Sequence, residues 1–352
     1  MITELNLVGF RCFPKSEIHF SDSVNLILGD NGSGKSSLIE AIYLLGRGKS
    51  FRTTHNSDLI NSESCQAIAT LKGSTSSHES FFLGCSIEKS KLFFKLNSSS
   101  VRKRSTLLDI QPLQLFTPTA HQLIDSGPVF RRRFLDWGLF HVEQYYRSKF
   151  DIFTKILKQR NHALKNLSPD LSQWTDEFVN ISCEIDQYRQ DYSQKLYKYF
   201  SSVQKDLGQN FISELMYSSG WAPNKDLKLT LLDSYKREIK QGFTQYGPQK
   251  ADLKFSFPDS VRNNLSRGQQ KITVFALQMA QCLLLRDLLG IETLLLMDDL
   301  SSELDKSNLN LLIDYIASQK FQAVVSLIDD HNVSTQKNIS RFHVEQLKIT
   351  QG

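Results

Sequence analysis

Gly29-Asp30-Asn31-Gly32-Ser33-Gly34-Lys35-Ser36 fits the spacing GxxxxGK[ST], which binds phosphate. Glycines let a backbone curl until several N–H groups face one concavity, and a helix starting inside the motif adds its positive N-terminal end. On this reading the loop from Gly29 to Ser37 cradles the phosphates of ATP, Lys35 reaches the β- and γ-phosphates, and Ser36 ligates Mg²⁺. A second group of chemically capable residues lies far along the chain. Thr293-Leu294-Leu295-Leu296-Met297 is an apolar run that ends in Asp298-Asp299. A carboxylate at such a strand end supplies the hard oxygen that Mg²⁺ needs opposite Ser36, and Asp299 then lies where a base or water-positioning group belongs. Lys35, Asp298 and Asp299 are therefore the candidate catalytic residues, with Ser36 and Asp298 as the metal ligands.

The flanking elements must hold these groups. Val24 to Leu28 reads as a buried strand, and Leu38, Ile42 and Leu45 share one helical face after the loop. Ile2 to Phe10 and Ser16 to Phe20 read as strands, as do Gln66 to Lys72, Phe81 to Glu88 and Lys91 to Asn97, which predicts an antiparallel patch beside the nucleotide site. A different texture begins near Pro128. Apolar residues recur at helical spacing to Lys165, Asn166-Leu167-Ser168-Pro169-Asp170 breaks the pattern, and a second run extends from Leu171 to Leu215. As one helix that second run would span roughly 65 to 70 Å. The pair is an antiparallel helical hairpin or, if broken near Gly208, a compact helical subdomain. Leu227 to Leu232 and Asp252 to Phe257 read as strands. Leu265-Ser266-Arg267-Gly268-Gln269-Gln270 then leads into an apolar helix from Ile272 to Leu289, and helix and strand alternate to the end. The predicted organisation is an α/β head formed by residues 1–127 and 218–352, interrupted by a helical arm at 128–217.

At 352 residues, 40% hydrophobic and 22% charged, the chain can bury a large core. No unbroken apolar run reaches membrane-spanning length, and the N-terminus has no signal-peptide core, so a cytoplasmic protein is expected. Five cysteines form no CxxC pair, and an odd count in a reducing compartment points to buried thiols rather than a disulfide or zinc framework. A net charge of +5 favours an anionic partner. Arg102-Lys103-Arg104 and Arg131-Arg132-Arg133 are the basic candidates for phosphate contact, and the second triplet has the alternative of serving the base of the arm.

Leu265 to Gln269 resembles the ABC-ATPase signature LSGGQ, with Arg267 in place of the first glycine, and Glu303-Leu304-Asp305 resembles the D-loop. In that superfamily the signature serine and glycine bind the γ-phosphate held by another subunit, which implies that Ser266 and Gly268 complete the site of a second copy. With one loop and one signature per chain, an ATP-gated homodimer follows. The resemblance narrows further. Asn6 to Arg11, Glu40-Ala41-Ile42-Tyr43, Gly48-Lys49-Ser50-Phe51-Arg52-Thr53, Gly127-Pro128, Phe134-Leu135-Asp136-Trp137 and Asp298-Asp299-Leu300 are together similar to the bacterial RecF family, nearly end to end. Thr119, Gln249 and Asn308 depart from its usual acidic, histidine and basic residues, and none of these is a phosphate or Mg²⁺ ligand. By analogy with SMC-like heads Arg11 lies near the nucleotide, and Gln114 is the Q-loop candidate. The resemblance implies a P-loop ABC/SMC-like ATPase head with an inserted helical arm, a weak, DNA-stimulated ATPase that binds DNA at gaps. Its implied partners are RecO and RecR, with RecA loaded downstream. Aspartate at 299 is shorter than the glutamate common in ABC ATPases, so turnover on the order of minutes is expected. The alternatives are a transporter ATPase, which needs a histidine after Val325 where Ser326 stands, and a non-hydrolysing SMC-like clamp.

Overall fold

The computed structural model describes residues 1–258, 265–300, 304–330, 333, 339–345 and 348–351. In chain order the elements are β1 (Ile2–Phe10), β2 (Phe13–His19), β3 (Val24–Leu28), α1 (Lys35–Arg47), β4 (Gln66–Ser74), β5 (Ser80–Glu88), β6 (Lys91–Leu96), β7 (Ser99–Ser100), α2 (Ser105–Ile110) and β8 (Leu113–Phe116). Then follow α3 (Gln122–Asp125), α4 (Pro128–Val142), α5 (Tyr146–Asn166), α6 (Leu171–Asp206), β9 (Glu214–Ser218), α7 (Leu227–Gln241), β10 (Asp252–Ser256) and α8 (Arg267–Leu289). The chain closes with β11 (Leu294–Met297), α9 (Lys306–Ser318), β12 (Ala323–Leu327), β13 (Ile339–Glu345) and β14 (Lys348–Gln351). Two compact units result, one of residues 1–120 with 289–352 and one of residues 121–288. Besides residues 128–217 the second unit takes in α3, α7, β10 and nearly all of α8.

The first unit holds two six-stranded sheets. One runs β2-β1-β4-β5-β6-β7, antiparallel, and β4 and β5 alternate buried with open positions as a one-sided sheet must. The other runs β14-β13-β3-β12-β11-β8 and is parallel except for β14. Its inner strands β3, β11 and β12 are buried at every position, which fits their unbroken apolar sequence. Leu38, Ile42 and Leu45 of α1 are fully buried in the same core as Leu5, Leu7, Ala69 and Leu83 of the antiparallel sheet. Buried Asn25 secures the entry to β3, its amide donating to the carbonyls of Ser21, Ser23 and Ala323. Gly48, at φ +69, ends α1 by donating its N–H to the Leu44 carbonyl at 2.8 Å.

In the second unit, α5 and α6 form the helical hairpin, turning at Leu167. α6 is 36 residues, about 54 Å. It stops at Asp206 rather than running to Leu215, and Glu214–Ser218 is instead strand β9, paired with β10. α6 packs against α4, α7 and β9 as well as α5, so the hairpin belongs to a bundle. Leu227 to Leu232, read as a strand, opens α7. Asp226 caps that helix by accepting from the Leu229 N–H at 2.9 Å, and Leu227, Leu231 and Glu238 form its buried side. α8 contains the apolar helix read from Ile272 to Leu289. It is 23 residues with a mean hydropathy of 1.5 over its most apolar 18, long and apolar enough to span, and 78% of that window is buried inside the protein. Of the five cysteines expected as buried thiols, Cys85 and Cys282 are buried, Cys12 is half-buried, and Cys65 and Cys183 are exposed.

Two buried ion pairs lock the bundle. Arg160 bonds Glu238 at 2.7 Å, along with the hydroxyls of Thr244 and Thr175. Arg189 grips Asp136 through Nε and Nη2 at 2.9 and 3.0 Å, and donates Nη1 to the Pro248 carbonyl. Tyr146 donates its hydroxyl to Asp136 at 2.6 Å. Burial works against the Arg189 charge, but Asp136 and Tyr146 outweigh it and lift its pKa above the ordinary arginine value. Removing one partner leaves a buried charge uncompensated. Asp136→Ala is therefore expected to lower stability by about 3–5 kcal/mol in chemical denaturation. Combining it with Arg189→Leu and Tyr146→Phe should recover part of the loss.

Candidate nucleotide site

The P-loop leaves β3 at the carboxyl end of the parallel sheet, the edge where α/β sheets bind ligands. Within the loop, Gly29 and Gly34 are the two glycines that leave no room for a Cβ. At φ +152 Gly29 lies against the Val344 carbonyl, 2.5 Å from where a Cβ would stand. At φ +113 Gly34 is overlaid by the Phe13 ring and Cys12 Sγ, 2.7 and 2.8 Å from such a Cβ. The turn between β1 and β2 therefore seats directly on the loop. No side chain caps α1 and its first turn carries no acid, so the helix presents its N-terminal dipole to the concavity. The Ser33 hydroxyl is buried in the loop with no hydrogen-bond partner among the described residues. An uncapped helix start and an orphaned hydroxyl fit a phosphate chain.

Lys35 folds over the loop, donating Nζ to the carbonyls of Gly29 and Asp30 at 2.5 and 2.8 Å. Burial pushes its pKa below the ordinary lysine value, while Asp299, Asp298 and Asp30 act in the opposite direction. Ser36 donates its hydroxyl to Asp298 Oδ1 at 2.8 Å, so the two hard oxygens proposed as metal ligands are already together. With its proton given to Asp298, Ser36 keeps its lone pairs for a cation, and the donor set fits Mg²⁺. Asp298 is buried at the end of β11, and Asp299 has a left-handed backbone, φ +52. A cavity of about 320 Å³ is lined by Arg11, Lys35, Ser36, Arg52, Asp299 and Ser326 among others.

Arg11 is held by the fully buried Glu40 of α1 in a two-pronged pair at 2.8 and 2.7 Å, and donates Nη1 to the Asp58 carbonyl. Ser50 also donates to Glu40, and Arg52 lies 3.6 Å from it. Glu40 thus fixes two cations at the cavity wall, a role that helical periodicity alone does not reveal. Gln114, the Q-loop candidate, is buried inside β8, level with Leu295 and short of the strand's carboxyl end. It is not among the residues that line the cavity.

The signature segment belongs to the second unit, at the start of α8. Ser266 Oγ accepts from the Gln269 N–H at 3.2 Å, and Gln269 Oε1 accepts from the Ser266 N–H at 3.0 Å. This reciprocal capping box is legible as S-x-x-Q once the helix is placed. It uses the serine as an acceptor and leaves its O–H as a donor. Gly268 stands in the first turn, and Arg267 pairs with Asp125 at 2.6 Å. Of the two basic triplets, Arg102, Lys103, Arg104 and Arg133 are exposed, whereas Arg131 is buried and Arg132 half-buried. Arg131 forks onto Asp252 at 2.7 and 3.1 Å and collects three carbonyls at the end of α3, and Arg132 bonds the Ala251 carbonyl. These two are removed from the phosphate-contact candidates. Asp305 caps α9 by accepting from the Asn308 N–H and side chain, each at 2.8 Å. The D-loop residue Glu303 lies outside the described residues.

A phosphate loop, a carboxylate at the end of the parallel strand one place removed and an antiparallel sheet sharing the same core define a P-loop ATPase head of the ABC and SMC type. Residues 1–351 match the family described as RecF/RecN/SMC N terminal domain. The chain belongs to the RecF family. It is 35% identical to the DNA replication and repair protein RecF of Psychromonas ingrahamii, over 99% of each chain. Among solved structures it is similar to the recombination mediator protein RecF-ATPrS in the RecFOR pathway, with TM-score 0.84 at 23% identity, covering 100% of this chain and 98% of that one. It is also similar to an SMC head bound to the C-terminal winged-helix domain of ScpA, with TM-score 0.64 at 17% identity, covering 100% and 97%.

Gly34→Ala would drive a methyl group into Phe13 and Cys12 at a left-handed position. The expected outcome is at least a tenfold loss of ATP affinity by calorimetric titration, with a lowered melting temperature.

Proposed function

We propose that this protein is a cytoplasmic, ATP-dependent DNA-binding protein of recombinational repair and replication that dimerises around two ATP molecules. The observation that carries the reading is the Ser36–Asp298 contact beside the uncapped start of α1, because it joins a phosphate cradle to a Mg²⁺ ligand pair. Lys35 binds the β- and γ-phosphates, Ser36 and Asp298 hold Mg²⁺, and Asp299 orients the attacking water. Gly29 to Ser37 supply the cradle, while Ser266 and Gly268 reach the γ-phosphate bound by the second copy. The dimer follows from there being one loop and one signature per chain.

DNA repair is supported by the full-length similarity to the DNA replication and repair protein RecF. The family resemblance extends the proposal to single-strand gaps, to RecO and RecR as partners and to RecA loading. Hydrolysis is slow and stimulated by DNA. Exposed Arg102, Lys103 and Arg104 remain candidates for phosphate contact, and a net charge of +5 agrees with a polyanionic partner.

Sedimentation with ATP, with ADP and without nucleotide, each with and without a gapped duplex, tests the proposal. ATP-specific dimers that retain DNA and release it as salt rises are expected. Lys35→Ala should lose ATP binding, whereas Ser266→Arg should bind ATP normally and remain monomeric. A Ser266→Arg protein that dimerises with ATP would refute the composite site. Asp299→Asn suits the left-handed backbone, since asparagine adopts it readily, so its effect reports chemistry rather than folding. Hydrolysis is expected to slow by about 10²-fold or more with a longer-lived dimer, and an unchanged rate removes Asp299 from catalysis.

A further inference from the structure

Ser326 is fully buried at the carboxyl end of β12, the strand between β3 and β11. Its hydroxyl donates to Asp298 Oδ1 at 2.9 Å and accepts from the Asp299 N–H at 2.8 Å. The hydroxyl's single proton is given to one aspartate and a lone pair engages the backbone of the next. Asp298 Oδ1 therefore receives two hydroxyl protons, from Ser36 on one side and from Ser326 on the other.

The geometry points to Ser326 as a positioning residue that holds Asp298 and Asp299 in register with the phosphate loop, a role that rests on the ATPase reading of this site. With Ser36 donating from one side, Ser326 is the second donor that keeps the Asp298 carboxylate from rotating. Its second bond acts on Asp299. A left-handed backbone is costly for a non-glycine residue, and the N–H bond to Ser326 offsets that cost at Asp299, which lines the cavity. One hydroxyl thus sets both the metal ligand and the group beside the water. Neither alanine nor valine, the natural occupants of a buried strand, can do so.

The test compares Ser326→Ala and Ser326→Thr with the unaltered protein by three measurements. ATP binding is titrated in EDTA and across a Mg²⁺ series, Mn²⁺ affinity is read by electron paramagnetic resonance with ATP present, and kcat and KM are measured with gapped DNA. Ser326→Ala should bind ATP normally in EDTA, weaken cation affinity about tenfold and lower kcat about ten- to a hundredfold with little change in KM. Ser326→Thr, which keeps the hydroxyl, should recover cation affinity and kcat to within about threefold. Melting temperature reports packing separately. Unaltered cation affinity and kcat in Ser326→Ala would overturn the inference, as would a threonine variant as impaired as alanine in both. If the unaltered protein itself shows no cation-dependent ATP binding, the ATPase reading falls and this inference with it.

Discussion

The site depends on one carboxylate oxygen. Asp298 is buried at the end of β11, where an ionised group is costly unless it is bonded, and its Oδ1 takes hydroxyl protons from residues on two other segments. The sheet order makes this possible. Because β12 lies between β3 and β11, a hydroxyl near the end of the middle strand reaches the same carboxylate oxygen that Ser36 reaches from the phosphate loop. Asp298 satisfies its own burial and, in doing so, fixes the spacing between the glycine-rich loop and the end of β11.

The same economy operates on the other wall. Glu40 is fully buried in α1, and its carboxylate oxygens accept from Arg11 of the β1–β2 turn and Ser50 after the helix. Gly34, crowded by Phe13 and Cys12, ties that turn to the phosphate loop sterically as Glu40 ties it electrostatically. In the second unit the burden falls on Asp136 and Glu238, each held by an arginine that also bonds a distant carbonyl or hydroxyl. Packing at these points is specified by charge, and the apolar contacts fill in around them.

The phosphate loop and the strand ending in Asp298 were legible in the sequence because each is a local pattern with a fixed period or spacing. The helical hairpin was legible for the same reason, though its far end was not: Phe211 and Leu215 continue the apolar rhythm after the helix has stopped at Asp206. Leu227 to Leu232 misled because a short apolar run suits a strand or a helix, and only the Asp226 cap decides between them. Ser326 and Glu40 carry no local signal. The partners of Asp298 are 262 and 28 residues away, and nothing in a one-dimensional pattern states that pairing. Arg131 illustrates the converse, since a basic triplet that reads as a surface patch contains a buried structural arginine whose acceptor is 121 residues distant.

The order of strands also sets a schedule for synthesis. β3 is flanked by β12 and β13, and β8 pairs with β11, so the strand that launches the phosphate loop finds both neighbours only in the last part of the chain. The unit of residues 121–288, in contrast, is contiguous. On the ribosome its contacts are all available while β3, made long before, still shows two unpaired edges rich in Val, Leu and Ile. Such edges invite wrong pairing for as long as they wait. The nucleotide site is thus among the first segments to be translated and among the last to be assembled, and the nascent chain must be kept from aggregating until residue 345 has emerged.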